Sequence, residues 1–123
     1  MYTYKIDVDR VVDGDTIDAN IDLGFEVSVK KRIRFMGINA PESRTRDADE
    51  KVKGLAAKKR VEELLEDAET ITVKSHGVGK FGRCLGELTI TQAGKETNLN
   101  ELLISEGHAV EYFLFLQRLF EYP

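Results

Sequence analysis

Two carboxylates separated by a glycine stand near the beginning of the chain, in the segment VVDGDT. Asp13 and Asp15 supply oxygen atoms of the kind that hard cations such as calcium prefer as ligands, and Gly14 lets the backbone bend between them. Asp-Gly-Asp is also a common turn sequence. The motif by itself therefore indicates a candidate cation site and leaves an ordinary turn as the alternative.

A second group of polar side chains occurs in RIRFMGINAPE, where a positive charge, a potential metal ligand and a carboxylate lie within nine residues. Arg34 precedes a predicted buried strand. That strand is followed by Asn39, Ala40 and Glu42, and Pro41 stiffens its exit. A third group, GKFGR, places Lys80 and Arg83 on a glycine-rich turn from which both side chains can reach a phosphate. Taken singly, the second group is equally typical of an ordinary strand end, and the third of an ordinary hairpin.

Together, in their order and spacing, the three groups resemble the thermonuclease family, the staphylococcal or micrococcal nuclease-like proteins. The resemblance runs from about Tyr4 to Tyr112 and is carried by VVDGDT, RIRFMGINAPE, KFGR and NELLISEGHA. Ordered agreement of several motifs is more specific than any one of them. The resemblance implies a five-stranded barrel of the oligonucleotide-binding type and calcium-dependent cleavage of single-stranded or breathing DNA and RNA that leaves 3′-phosphate ends.

The resemblance also implies how calcium and the attacking water are held. Asp15 would be the direct carboxylate ligand, with Asp13 a nearby second carboxylate, and Glu42 would orient or deprotonate the water. Asn39 stands where the family usually has a second aspartate, and Ala40 would contribute only its backbone carbonyl oxygen. Because an amide in place of a carboxylate removes one negative charge, we expect weak calcium binding and activity at millimolar calcium.

The substrate side of the implied site consists of cations and aromatic rings. Arg34 and Arg83 would hold the phosphate, since planar, permanently charged guanidinium groups stabilise the charge that develops on phosphate oxygens. Lys80 would contact a neighbouring phosphate. Three phenylalanines stand where the family often has tyrosines, one beside the phosphate and two beside the base pocket: Phe81, Phe113 and Phe115.

The elements that must position these residues can be read from hydropathy periods. Apolar residues at period two predict an antiparallel meander over the first 38 residues, and two further strands follow a helix at about residues 49–69. The helix is predicted to bury a stripe that includes Val52, Leu55 and Val61. Asn98 or Asn100 can cap a short second helix that ends at Gly107. This order favours a β-rich α+β fold, a five-stranded Greek-key barrel with an inserted helix and a short C-terminal helix, although other α+β domains share it.

Size and charge bound the remaining possibilities. The 123 residues suit one domain, and the net charge of −4 argues against binding nucleic acid by bulk attraction. Residues 27–60 nevertheless carry eleven basic side chains against four acidic ones, whereas residues 84–123 carry two against six. A basic face that follows a phosphate backbone and a solvated helix surface both fit this asymmetry. No apolar run suits a membrane helix, and the first residues lack a signal-peptide pattern, so we expect a cytoplasmic protein, or a secreted one if a leader was removed.

Two classes of function remain at this point. One is a metal-dependent endonuclease with little sequence preference, and the other is a non-catalytic barrel that binds nucleic acid or a protein. Retention of Arg34, Glu42 and Arg83 favours the enzyme. We expect a monomer, with the apolar residues 113–123 packed against the barrel or, alternatively, available for self-association. His76 and His108 are assigned no functional role.

Overall fold

Five strands with alternating apolar and polar residues form a closed barrel in the computed structural model. The structure describes residues 2–78 and 84–112. Within these residues the elements are, in order, β1 (Thr3–Asp13), β2 (Thr16–Asp22), β3 (Ser28–Phe35), β4 (Ile38–Asn39), α1 (Ala48–Asp67), β5 (Thr70–Val78), β6 (Cys84–Gln92), β7 (Lys95–Asn98), α2 (Leu99–Ser105) and β8 (Val110–Glu111).

The barrel is closed by one parallel pairing in an otherwise antiparallel sheet. The strands follow the order β3-β2-β1-β5-β6-β7, and β3 also pairs with β6 in parallel, with Ile33 opposite Cys84 and Phe35 opposite Gly86. Helix α1 connects the third barrel strand to the fourth, and α2 follows β7. The predicted five-stranded barrel with an inserted helix and a short second helix is therefore confirmed.

The core fills the barrel and extends under both helices. Ile17, Ile33 and Leu88 are fully buried on barrel strands, and Leu99 and Leu103 of α2 are buried with them. These residues belong to one continuous apolar cluster. Most of the period-two positions that predicted the strands thus fill the barrel, among them Ile6, Ile17, Ala19, Ile21, Ile33 and Phe35.

The contact face of α1 differs from the predicted stripe. Val52 is 69% exposed and Leu55 is 47% exposed, so the prediction that they are buried is wrong. The buried residues of the helix are Gly54, Ala57, Val61 and Leu65. The first two are small because the helix crosses close to the β1–β2 turn, where a Cβ added at Gly14 would lie 2.7 Å from the Cβ of Ala57.

Capping side chains mark the starts of both helices, and a positive-φ turn forms the hairpin between β6 and β7. Asp47 caps α1 by accepting from the backbone N–H groups of Asp49 and Glu50, and Asn98 caps α2 by accepting from Glu101. Ala93 and Gly94 both have positive φ in the turn between β6 and β7, as a tight two-residue hairpin requires. Among the described residues, no helix has the length and apolar content needed to cross a lipid bilayer.

Candidate active site

Asp15 is a buried carboxylate at the turn between β1 and β2. Its residue is only 7% exposed. Its Oδ1 accepts a hydrogen bond from the Thr16 hydroxyl at 2.8 Å, and its Oδ2 accepts one from the backbone N–H of Ala40 at 2.8 Å. Asp15 therefore joins the first hairpin to the loop that follows β4.

Arg34 reaches the same carboxylate from β3. Thr16 pairs with Arg34 across β2 and β3, which brings the arginine beside the turn that carries Asp15. The Arg34 Nη1 atom lies 3.4 Å from Asp15 Oδ2 and donates to the carbonyl oxygen of Ile38 at 2.9 Å, while Nη2 donates to Asn39 Oδ1 at 3.1 Å. The side chain is 16% exposed, so its guanidinium is held in place by protein contacts and still has access to solvent.

Asp13 has a different environment from Asp15 although only one glycine separates them. Its Oδ1 accepts hydrogen bonds from both the backbone N–H and the hydroxyl of Ser43. Ser43 is itself buried, at 5% exposure. Asp13 thereby anchors the residue that directly follows Glu42, and it fixes the position of that loop relative to β1.

Glu42 lies on the same loop with its side chain exposed to solvent. Its backbone N–H donates to Glu50 Oε1 at 3.4 Å, which ties the loop to the first turn of α1. The helix approaches closely here, because a Cβ added at Gly54 would lie 2.7 Å from the Ser43 nitrogen and closer still to the Glu42 carbonyl. Glu42 is therefore a solvent-facing carboxylate on a backbone held between Asp13 and Gly54.

Tyr112 is a site residue that the sequence reasoning missed. Its ring centroid lies 5.9 Å from Arg34 Cζ, within the range of a cation–π contact. Its backbone N–H donates to the Gly37 carbonyl at 2.8 Å, and the neighbouring β4–β8 pairing sets Asn39 opposite Val110. Its sequence signal is its place in an aromatic run that also contains Phe113 and Phe115.

Asn100 of α2 forms hydrogen bonds to the backbone of the turn between β3 and β4 and to that of β6. Its Nδ2 donates to the carbonyl of Met36 at 2.8 Å and to that of Gly86 at 3.3 Å, and its Oδ1 accepts from the Leu88 N–H at 3.2 Å. At 4% exposure, this amide is satisfied by three backbone groups. The sequence had marked Asn100 only as a possible helix cap, a role that Asn98 performs.

Comparison with known proteins settles the family. The family model described as "Staphylococcal nuclease homologue" matches residues 32–122, which is most of the chain. The chain belongs to this family. The matched range contains Arg34, Asn39, Ala40 and Glu42, and the family assigned from the sequence motifs is thus confirmed.

A curated relative gives a second comparison. The protein named "Endonuclease YhcR" from Bacillus subtilis (strain 168) is 38% identical over 119 residues. The alignment covers 91% of this chain and 9% of the relative, so the chain spans about a tenth of that protein's length.

The oxygen atoms gathered here have the chemistry that the nuclease family's metal would need. Asp15 carboxylate oxygens, the Asn39 amide oxygen and the Ala40 carbonyl are all hard donors, which suits calcium or magnesium better than a soft metal. Within residues 2–78 and 84–112, no group of three or more His, Cys, Asp and Glu side chains forms a metal cluster. Arg34 contacts both Asp15 and Asn39, so a cation bound there must share these ligands with the guanidinium.

Several predicted site residues lie outside the part of the chain that the structure describes. They are Lys80, Phe81, Arg83, Phe113 and Phe115. Their assigned roles stay predictions. Among the others, Arg34 contacts Asp15 and Asn39, and Asp15 accepts from the backbone N–H of Ala40. Asp13 and Glu42 are linked to this group through Ser43 and the loop.

Proposed function

We propose that this chain is a metal-dependent nuclease that hydrolyses phosphodiester bonds in DNA and RNA. The observation that carries the proposal is the 3.4 Å contact between Arg34 of β3 and the buried Asp15 of the β1–β2 turn, at the edge of the loop that bears Glu42. A permanently charged phosphate ligand and a buried carboxylate are in contact there, and the adjoining loop carries a solvent-facing carboxylate, a combination suited to phosphodiester hydrolysis. Family membership and an endonuclease relative support it.

The described residues have two roles, which are binding the phosphate and positioning the attacking water. Arg34 presents a planar guanidinium whose N–H groups can form two parallel hydrogen bonds to phosphate oxygens. Glu42, exposed on the adjoining loop, orients or deprotonates the attacking water. A divalent cation, when bound by Asp15, Asn39 and the Ala40 carbonyl, would supply positive charge for the phosphate oxygens. Asp13 holds Ser43, and through it keeps Glu42 in place.

The finer features of the activity follow from the family resemblance. We propose calcium as the cation, single-stranded or breathing DNA and RNA as substrates, and 3′-phosphate ends as products. Arg83 would be the second guanidinium on the phosphate, with Lys80 on its neighbour, and Phe81, Phe113 and Phe115 would contact the substrate.

One contact favours a second candidate, a non-catalytic barrel that binds nucleic acid or a protein partner. Arg34 already satisfies oxygen atoms of Asp15 and Asn39, the two side chains expected to bind the metal. A guanidinium that permanently replaced the metal would leave a binding surface without hydrolysis. The two candidates differ in one measurable property, which is cleavage that depends on a divalent cation.

The test is cleavage of single-stranded DNA by the purified chain in millimolar calcium, with EDTA and with Glu42→Gln and Arg83→Ala as comparisons. Glu62→Gln is a matched control, since Glu62 is an exposed glutamate on the outer face of α1. We expect cleavage by the wild type and by the control, with loss in EDTA and in both site variants. Equal cleavage in every sample would indicate a contaminant. Absence of cleavage in all samples would overturn the enzyme and leave the binding module.

A further inference from the structure

A row of cations extends from Arg34 along the outer face of β3. Side chains alternate between faces of a strand, and Ile33 and Phe35 are buried in the barrel, so Arg34, Arg32 and Lys30 share the opposite face. Arg32 and Lys30 are both exposed. Successive members of the row are two residues apart, or about 6.6 Å along the strand, a spacing similar to that between neighbouring phosphates of an extended nucleic acid strand.

The middle of this row is a cluster of two arginines on one aspartate. Arg10, Asp18 and Arg32 lie side by side across β1, β2 and β3. Asp18 accepts from Arg10 Nε at 2.9 Å and from Arg32 through Nε at 2.8 Å and Nη2 at 3.1 Å. Two guanidinium groups on one carboxylate leave a net positive charge, and the aspartate holds both groups in a fixed orientation.

These two arginines remain available to a ligand. The Arg10 side chain is 54% exposed and that of Arg32 is 44% exposed. A guanidinium has five N–H donors, and the bonds to Asp18 use one from Arg10 and two from Arg32. Each arginine therefore has further donors for a second anion.

On β2 the row faces Asp18, which is paired with Arg32, and Asp22 lies on the same face beyond Lys30. Thr16 pairs with Arg34 and Asn20 pairs with Lys30, and both are neutral. The Asn20 amide donates to Ser28 at 3.3 Å, another neutral group. The acidic residues of β1 level with Lys30 and Arg34 are Asp7 and Asp13, each one strand further away. The four cations Lys30, Arg32, Arg34 and Arg10 thus outnumber the two aspartates in contact with them, Asp18 and Asp15, and the row is continuous with the candidate active site at Arg34.

We propose that Lys30, Arg32 and Arg10 form a phosphate-binding track on the outer face of β3. The track holds the part of a single-stranded nucleic acid that lies a few nucleotides away from the bond being cleaved. This inference rests on the proposed nuclease function. It adds a substrate-length preference, because a strand long enough to reach the track gains contacts that a dinucleotide at Arg34 does not make.

Binding can be measured separately from cleavage. The probe is a fluorescent single-stranded oligothymidylate of about 12 nucleotides, in the range of ordinary single-strand site sizes, titrated by anisotropy in EDTA. The test variant is Lys30→Gln/Arg32→Gln. The matched control is Lys59→Gln/Lys95→Gln, which removes two exposed positive charges elsewhere on the molecule.

We expect the track variant to bind the oligonucleotide about ten-fold more weakly than the control at low salt. The slope of log affinity against log salt should also fall by about 1.4, since each phosphate contact on a single strand contributes about 0.7. In calcium, the ratio of kcat/KM for the oligonucleotide to kcat/KM for a dinucleotide should fall in the track variant by a similar factor. Lys30→Glu is a second test variant, because Lys30 has no ion pair within the described residues.

The outcomes separate this inference from the function on which it rests. If the wild type cleaves DNA and the track variants match the control in affinity and salt slope, the track is overturned while the nuclease stands. If the wild type binds through the track and never cleaves, the nuclease is overturned and the binding module is supported. An equal loss in the track and control variants would mean non-specific attraction, which also overturns the track.

Discussion

Gly54 of helix α1 packs directly on the peptide bond that joins Glu42 to Ser43, with no room for a side chain between helix and loop. A glycine in the middle of a helix costs about 1 kcal/mol relative to alanine, so its presence here is explained by this contact. The same helix face packs through Ala57 on Gly14, between the two aspartates. Helix α1 thus sets the positions of both acidic segments of the candidate site.

Gly54→Ala should destabilise the protein by about 1–3 kcal/mol, because the added methyl group must displace the loop that carries Glu42. Helix propensity alone predicts the opposite sign. Chemical denaturation measures the free energy of unfolding, and cleavage assays should show reduced activity in the same variant. Ala56→Gly, at an exposed position of the same helix, isolates the propensity effect. A more stable Gly54→Ala protein would contradict the close approach.

Arg34→Lys should lower kcat by about 100-fold or more, since a lysine lacks the planar fork that holds phosphate oxygens. An ammonium group also cannot reproduce the separate bonds to Ile38 and Asn39. Steady-state kinetics on single-stranded DNA measures the effect. Arg46→Lys, an exposed exchange in the loop before α1, is the control. Nearly full activity in Arg34→Lys would show that a positive charge alone is sufficient.

Asn39→Asp should tighten calcium binding by about ten- to a hundred-fold, because it adds a full negative charge to the ligands proposed for the cation. The measurement is the calcium concentration that half-saturates cleavage, which we expect in the millimolar range for the natural chain. Gln92→Glu makes the same amide-to-acid change at an exposed position distant in the chain. Saturation of the natural chain at low micromolar calcium would show that Asn39 does not weaken the site.

Tyr112→Leu should reduce activity several-fold, because the ring lies over the Arg34 guanidinium and limits its motion. Tyr112→Phe keeps the ring and should retain most of the activity. The ratio of the two variants, measured as kcat/KM, isolates the ring from the hydroxyl. Equal losses in both would assign the effect to the hydroxyl instead.

The Asp18 cluster gives a pH dependence of stability. The hydrogen bond from Arg32, with a further one from Arg10, lowers the pKa of Asp18 from 3.8 to about 2. A lowered pKa in the folded state means that the ionised form stabilises the fold. This contribution is complete above pH 3.8 and disappears as the pH falls through about 2.

Asp18→Asn should therefore lower the free energy of unfolding near neutral pH by under about 1 kcal/mol, since the pairs are largely exposed. The difference between wild type and variant should shrink between pH 4 and pH 2, as urea denaturation at several pH values can show. Asp22→Asn, at an exposed position on the same strand, serves for comparison. A difference that persists at pH 2 would assign the loss to something other than the charge.

The barrel strands could be predicted from the sequence because each one alternates. Ile17, Ala19 and Ile21 fill the interior of β2 at period two, and nothing outside the strand is needed to see this. The order of the site motifs also predicted the family. The alternation within each strand was therefore sufficient to predict the strands, and the order of the motifs was sufficient to predict the family.

The remaining features depend on contacts between distant segments. Asp13 binds Ser43 across 30 residues, and the local sequence around neither residue predicts this contact. The contact face of α1 was mispredicted because hydrophobicity identifies Val52 and Leu55, whereas close packing selects Gly54. Val27 likewise continues the period-two pattern but is 52% exposed, because β3 begins only at Ser28 after the positive-φ turn.

The parallel pairing of β3 with β6 has a consequence for how the molecule assembles. Asp15 and Arg34 come together through neighbouring hairpins, which form quickly because little chain must be looped. Joining Ile33 to Cys84 must wait until the intervening helix and strand have been made. During synthesis on the ribosome, Asp15 and Arg34 would thus come side by side well before the barrel closes. Closure of the barrel would be the slow step of folding.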